Sequence, residues 1–255
     1  MGRIRLITRA DDCGMALSAN RAIIEACTRG IARNVSIMVP APRFKAAAEL
    51  LHELKGVDLG VHFTLNAEWD NVKWGPVLPP EKVRSLVDDK GLFYTTPMHL
   101  HERHAKQEEM LAEARAQIEA ARAQGLEIAY LDTHMGVEWV AKTGEKLARL
   151  VEQEGLIWAN PLGKRLPKIP DSTQGHPERL IAQLEAATEN TYLTVGHPTY
   201  DDEEVRRFRI NASPEGEVAR DRDGQRRMFT DPKVLQCVAA KGVEPIRYSQ
   251  AGDKG

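Results

Sequence analysis

Apolar residues along this chain fall into two alternating patterns. Short runs rich in Ile, Leu, Val and Tyr occupy 3–10, 35–39, 58–65, 127–132, 156–159, 192–196 and 243–248, and have the composition of strands. Between most of them lie segments in which Ala, Leu and Ile recur every three or four residues: 18–29, 44–54, 107–122, 144–153, 178–187 and 232–240. Gly30, Gly56 and Gly125 follow the first three of these, as expected of a residue just past a helix end. Ser18 is placed to cap the first helix. About seven strands alternating with helices predict an α/β fold, a parallel sheet covered by helices.

Two architectures satisfy that alternation, an open doubly wound sheet and a closed (β/α) barrel. A length of 255 residues favours the TIM-barrel-like form. A dinucleotide-binding sheet would carry a glycine-rich turn after its first strand, and Asp11-Asp12-Cys13-Gly14 stands there instead. No domain boundary interrupts 1–255, so a single domain is expected. Two segments break the rhythm. Residues 66–106 hold Trp69, Trp74, His99, His101 and His104, and residues 201–230 are polar and Arg-rich. Both read as functional loops. The first is expected either to close over substrate or to meet another subunit, which leaves a homodimer open.

Charge narrows the partners. Lys+Arg number 35 and Asp+Glu 37, a net charge of -2, so the chain lacks the basic footprint of a nucleic-acid or membrane-surface protein. No apolar run reaches the roughly 20 residues of a membrane helix. The polar Asp11-Asp12 arrives before a stretch of signal-peptide length, so a cytoplasmic location is expected. Three widely spaced cysteines, Cys13, Cys27 and Cys237, suit neither a disulfide framework nor a structural zinc site.

In both architectures the active site lies at the carboxyl ends of the strands. Asp11-Asp12 follows the first strand, His62 lies near the end of the third, Asp132-Thr133-His134 ends the fourth, and His197-Pro198 follows the strand before the second long loop. Adjacent carboxylates repel unless a cation separates their roles; one can then bind a metal while the other stays free as a base. They would point to opposite faces of a regular strand, and a turn at Gly14 is expected to bring both to the rim. A helix cap is the competing reading, but a single Asp would suffice for it. One Asp with His62 and His134 matches the three protein ligands of an open catalytic zinc site, although nickel, cobalt or manganese would accept the same donors. His197 is left over as a general acid, and Asp132 as a carboxylate that orients a ligand histidine. The His99, His101 and His104 cluster matches no zinc signature and reads as a solvated helix start. Cys13 has no assigned base and reads as a small apolar neighbour. Trp69, Trp74 and Trp139 are candidates for sugar stacking or for loop packing.

Taken in order, Arg9-Ala10-Asp11-Asp12-Cys13-Gly14, Asn20-Arg21-Ala22-Ile23-Ile24-Glu25-Ala26, Ser36-Ile37-Met38-Val39, Gly60-Val61-His62-Phe63-Thr64-Leu65, Leu131-Asp132-Thr133-His134, Gly196-His197-Pro198 and Thr230-Asp231-Pro232 resemble the YdjC-like (ChbG/HpnK) carbohydrate deacetylases over almost the whole chain. The resemblance implies a deformed (β/α) barrel and removal of N-acetyl groups from amino sugars or chitooligosaccharides. It implies a divalent metal on Asp12, His62 and His134, zinc first, with magnesium, nickel or cobalt also compatible. It implies Asp11 as base and His197 as acid. Asp132, Arg222 and Trp74 are expected to support this set or touch the sugar. The chain departs from the family where Cys13 replaces Phe, where Gly136 replaces the second histidine of Asp-Ser-His-x-His, and where Gln225 replaces Glu in a late Arg-x-x-Glu. Those departures leave two alternatives: a hydrolase of another amide or ester, or a catalytically weakened carbohydrate-binding protein.

Overall fold

The computed structural model describes residues 3–170 and 172–252. Its elements run β1 (Ile4–Cys13), α1 (Leu17–Thr28), β2 (Asn34–Ile37), α2 (Phe44–Leu51), β3 (Asp58–Phe63), α3 (Met98–Glu102), α4 (Gln107–Ala123), β4 (Ile128–Thr133), α5 (Val137–Val140) and α6 (Gly144–Gln153). They continue with β5 (Ile157–Trp158), β6 (Lys164–Arg165), α7 (His176–Ala186), β7 (Asn190–Gly196), α8 (Glu203–Arg206), α9 (Glu217–Thr230), α10 (Pro232–Ala240) and β8 (Glu244–Ile246). The strands form one parallel sheet in the order β5-β4-β3-β2-β1-β7-β6. β8 pairs with the first half of β1, at Arg5–Ile7, while the second half of β1 pairs with β2. The sheet curls into a deformed (β/α) barrel whose edge strands, β5 and β6, are not paired with each other among the described residues.

The interior of the curl follows from the two-residue alternation of strand side chains. Ile7, Arg9 and Asp11 of β1 share one face with Ser36 of β2, Gly60 and His62 of β3, and Tyr130 and Asp132 of β4. At the bottom, Ile7, Tyr130, Ile246 and Tyr248 form a small apolar plug, with the Tyr130 and Tyr248 rings 4.6 Å apart. Gly60 makes room for Tyr130: a Cβ there would come within 2.2 Å of the Tyr130 ring. Above the plug the face turns polar, beginning with Arg9. Helix faces such as Ala19, Ala22, Ile23 and Ala26 of α1 cover the opposite face of the sheet and build the main core.

Three local expectations are corrected. Ser18 does not cap α1. Ala16 holds the cap position, and the Glu204 carboxylate from α8 accepts from the backbone N–H groups of Leu17 and Ser18. β6 falls in a stretch too short and polar to register as a strand, two exposed residues that pair with β7. The segment 201–230 is not a continuous loop. Its second half is α9, whose buried face is reduced to Ala219, Gly224, Met228 and Phe229, too sparse a stripe to show against seven charged neighbours.

The segment 66–106 folds onto the barrel rim. Buried Glu113 of α4 accepts from the backbone N–H groups of Val77 and Leu78. Gln117 clamps both backbone groups of Thr64. The segment also meets the chain after α8, where Asp70 N–H donates to the Arg209 carbonyl and the Trp69 and Phe208 rings meet edge to face.

Candidate metal centre

The acid pair is brought together by a bulge and not by the turn at Gly14. Between Ala10 and Cys13 β1 carries one residue more than its partner β2, because Ala10 pairs with Val35 and Cys13 with Ile37. Asp12 is the residue that absorbs the misfit, at φ 64. A left-handed conformation costs a non-glycine residue about 1–2 kcal/mol. It turns the Asp12 carboxylate onto the same rim as Asp11. Gly14 is required for a different reason: a Cβ there would lie 2.9 Å from the Met38 carbonyl oxygen.

Around this bulge the structure gathers a buried polar cluster. Asp12 Oδ1 lies 3.3 Å from His134 Nδ1 and 3.6 Å from His62 Nε2, and those two ring nitrogens are 3.2 Å apart. The outer nitrogen of each histidine is held by a carboxylate. His62 Nδ1 meets Asp132 Oδ2 at 2.8 Å, and His134 Nε2 meets Glu68 Oε2 at 3.0 Å. The second oxygen of Asp12 accepts from Arg222 Nη1 at 2.7 Å. Asp12 Oδ1 itself is buried with no hydrogen-bond partner. A buried carboxylate oxygen without a donor is costly. Its position between two imidazole nitrogens, each braced from behind, is what a divalent cation site requires. The donors therefore fit a metal. A second group, Asp11, His62 and Asp132, also converges, but the Arg9 guanidinium already pairs with both of its carboxylates. Arg9 binds Asp11 with two bonds of 2.7 and 2.8 Å and reaches Asp132 at 3.0 Å.

The electrostatics agree with that division. Burial would raise the Asp12 carboxyl, but Arg222 and His134 outweigh it and hold Asp12 well below the usual carboxylate range. Burial would lower His134, but Glu68 and Asp12 lift it to about 10. His62 is raised, because Asp132 and Asp11 outweigh its burial. Arg9 is held well above its ordinary value by Asp11 and Asp132 despite its burial.

His197 lines the same cavity of about 360 Å³, together with Asp11, Asp12, His62, Glu68, His134, Arg222 and Trp69. Its protonation is fixed by geometry. Gln225 Oε1 accepts from the His197 backbone N–H at 2.7 Å and faces His197 Nδ1 at 2.9 Å, while Gln225 Nε2 donates to Asp221 at 2.7 Å. The backbone N–H is only a donor and the carboxylate only an acceptor, so Gln225 is oriented and Nδ1 carries hydrogen. Nε2 is the nitrogen left for the cavity. Burial, reinforced by Arg222, lowers the His197 pKa.

Most of the residues singled out from the sequence meet here. Asp11, Asp12, His62, Asp132, His134, His197 and Arg222 surround or back one cavity. Trp74 does not. It is buried within the 66–106 segment, its indole N–H spent on the Asn66 carbonyl at 2.9 Å, and the aromatic wall of the cavity is Trp69 instead. Arg222 lies over the Trp69 ring at 5.0 Å. His99 and His101 lie on or beside short α3, away from the cluster, and Cys13 is buried with its thiol toward Asn20. Glu68 was missed. No sequence pattern points to it, because it lies past the end of β3 in a stretch without regular structure.

Comparison with known proteins agrees with this architecture. The chain is 27% identical over 257 residues to a carbohydrate deacetylase of Thermoanaerobacter pseudethanolicus, covering 96% of this chain and 98% of that one. It is 26% identical over 225 residues to carbohydrate deacetylase 1 of Listeria innocua, covering 83% and 88%. The fold superposes with a TM-score of 0.77 on the crystal structure of an Enterococcus faecalis protein described as a candidate for cellobiose-phosphate cleavage, at 22% identity and covering 97% and 98% of the two chains. A model of the YdjC-like protein family matches residues 5–240, nearly the whole chain, and the chain belongs to that family.

Proposed function

We propose that this chain is a metal-dependent deacetylase of N-acetylated amino sugars, acting as one domain over 1–255, of which 1, 2, 171 and 253–255 lie outside the described residues. The observation that carries the reading is the partnerless Asp12 Oδ1 between two carboxylate-backed histidines, with a second carboxylate and a third histidine facing the same cavity. Two relatives that cover most of this chain carry the name carbohydrate deacetylase, which supports the substrate class. Asp12, His62 and His134 would hold the cation, with zinc first among the divalent metals these donors accept. When bound, it supplies Lewis acidity, lowering the pKa of water and polarising the acetamide carbonyl.

The chain's own residues supply the proton movements. Asp11 accepts the proton of the attacking water, its carboxylate held in one orientation by the two bonds from Arg9. His197, in its imidazolium form, the minor one near neutral pH because its pKa is lowered, donates from Nε2 to the departing amine nitrogen. Gln225 fixes the ring for that transfer. Water adds to the acetamide carbon, the carbon–nitrogen bond breaks, and acetate and a free amino sugar leave. A cytoplasmic location and a small-carbohydrate ligand belong to the same proposal. No helix among the described residues is long and apolar enough to cross a membrane.

The test is acetate release from N-acetylglucosamine and its β-1,4 dimer by metal-stripped protein reloaded with zinc, nickel, cobalt or magnesium. Release that depends on the metal is the expected result. Stoichiometric metal uptake without release from either sugar would move the substrate elsewhere, and failure to take up any metal would overturn the reading of the centre.

Gln225 offers a separate check on the acid. It is neutral, so its hydrogen bond raises the His197 pKa less than a carboxylate's charge would. Gln225→Glu places a negative charge against Nδ1 and raises that pKa. The imidazolium form is required for donation and is lost as pH rises through the pKa. The alkaline limb of kcat is therefore expected to move to higher pH in the variant; an unmoved limb would remove His197 from the acid role.

A further inference from the structure

Of the three residues at the metal centre, Asp12 stands in β1 and His62 in β3, but His134 lies just past the end of β4. Its backbone belongs to the turn 134–136, which leads into α5 and is left-handed at two successive residues, Met135 at φ 50 and Gly136 at φ 64. Glycine takes such an angle freely, whereas methionine takes it at a cost. A non-glycine residue keeps that conformation only where its surroundings hold it. Val137 is buried, and its N–H closes the turn on the His134 carbonyl. Whatever fixes the two ends of this turn also fixes where the His134 ring stands.

Glu138, in α5, ties those ends together. It is 5% exposed. The Thr133 hydroxyl donates to one of its carboxylate oxygens and Asn160 Nδ2 donates to the other. Asn160 Nδ2 also donates to Thr133 Oγ1 at 2.9 Å, which closes a triangle of three side chains. Asn160 reaches this place from β5: Trp158 pairs with Leu131 of β4, and the N–H of Ala159 donates to the Leu131 carbonyl. The triangle therefore spans the ends of β4 and β5 and the start of α5, with His134, Met135 and Gly136 looped between its corners Thr133 and Glu138. β5 is an edge of the sheet, so no further strand steadies this side. Both Glu138 oxygens accept within the triangle, a holding arrangement and not a reactive one. The turn is gripped from the other side as well. Asn66 Nδ2 donates to Met135 Sδ at 3.1 Å and to Glu68 Oε2 at 3.3 Å, and the same Glu68 oxygen meets His134 Nε2. Glu68 thus holds the His134 ring, while Glu138 holds the backbone that carries it.

We propose that Glu138 is a positioning residue of the metal centre: through Thr133 and Asn160 it holds the left-handed turn that aims His134 Nδ1 at Asp12. The inference rests on the reading of Asp12, His62 and His134 as metal ligands, and the two fail differently. Alanine at 138 opens the triangle and leaves two donors without their acceptor. Glutamine keeps an oxygen for Asn160 and can turn its N–H toward Thr133 Oγ1, so the corner stays joined.

The experiment reads zinc affinity by competition with a chromophoric chelator at pH 8, well below the melting temperature of every variant. Glu138→Ala is expected to bind zinc about ten- to a hundredfold more weakly than the parent chain, the range for loss of a group that orients a ligand. Glu138→Gln should recover most of that loss. Adding Met135→Gly to Glu138→Ala should recover part of it, because glycine holds a left-handed turn unaided. Val238→Ala, in the core under α10, is the control: it lowers the melting temperature and should leave zinc affinity unchanged, so a loss in Glu138→Ala is not a loss of stability alone. Equal affinity in Glu138→Ala and the parent chain would overturn the proposal. So would a double variant no tighter than Glu138→Ala, since the turn would then not be what Glu138 holds. If Glu138→Ala does not fold, Thr133→Val cuts the same corner with little change of shape and carries the same expectation and the same counter-result. A parent chain that takes up no zinc is the separate failure of the metal centre itself, and removes the brace with it.

Discussion

Asp11→Asn is expected to take up zinc as the parent chain does and to lose about a hundred- to ten-thousandfold in kcat for acetate release, the range over which a positioned general base contributes. The separation arises because the two adjacent acids do different work. Asp12 is the acid with the buried, partnerless oxygen toward His62 and His134. Asp11 faces the same cavity but is bound on both oxygens by Arg9. Each carboxylate oxygen has a lone pair to spare after one hydrogen bond, so the clamp orients Asp11 and still leaves it a site at which to accept a proton. An amide in that place keeps its carbonyl bond to Arg9 but turns an N–H toward the guanidinium. A stability loss of about 1–3 kcal/mol therefore accompanies the substitution. Zinc content by atomic absorption, thermal unfolding and acetate release on the same preparation separate these effects. A variant that folds and loads zinc but keeps more than a tenth of the parent activity would reject Asp11 as base. One that folds and cannot load zinc would show that Asp11 belongs to the ligand set.

What was legible in the sequence was whatever alternation could carry. Ile7, Arg9 and Asp11 repeat every second residue, and the same period places Gly60 with His62 and Tyr130 with Asp132, so the strand ends and their donors follow from pattern alone. The bulge did not follow. Nothing in Asp11-Asp12 says which of the two breaks the period, and the left-handed φ of Asp12 is a tertiary compromise between the registers of β1 and β2. Glu68 lies past the end of β3 in a segment without periodicity of its own, so its carboxylate looked like any loop acid. Trp69 and Trp74 are five residues apart in that segment. Only its fold on α4, through Glu113 and Gln117, decides that Trp69 faces the cavity and Trp74 the core. The long polar helix α9 was hidden for the opposite reason: its inner face is largely given to the site, through Arg222 and Gln225, and so carries little apolar signal.

Zinc binding is expected to release protons, and its affinity to fall steeply toward acid. In the metal-free protein His134 is lifted to about 10 by Glu68 and Asp12, so it is protonated at pH 8. Its Nε2–H is committed to Glu68, and its Nδ1–H lies between Asp12 Oδ1 and His62 Nε2. Two protons cannot face each other across 3.2 Å without repulsion. The histidine pair therefore takes its first proton well above neutrality and its second only in more acid solution, where the raised His62 also charges. A cation needs both inner nitrogens bare. Each proton displaced costs about tenfold in affinity per pH unit below the pKa concerned. Near pH 8 the expected release is about one proton per zinc with a tenfold loss per pH unit, steepening toward a hundredfold per unit where His62 also titrates. Titration calorimetry in two buffers of different ionisation enthalpy reads the number directly. Glu68→Gln tests the cause. Without the carboxylate the His134 pKa falls toward its ordinary value, so less than one proton is released at pH 8. The ligand also loses its brace, so zinc binds about ten- to a hundredfold more weakly at pH 9, where the competing proton matters least. Heat independent of buffer in the parent chain at pH 8 would mean that the inner nitrogens are already bare, and would remove the Glu68–His134–Asp12 relay from the account of the centre.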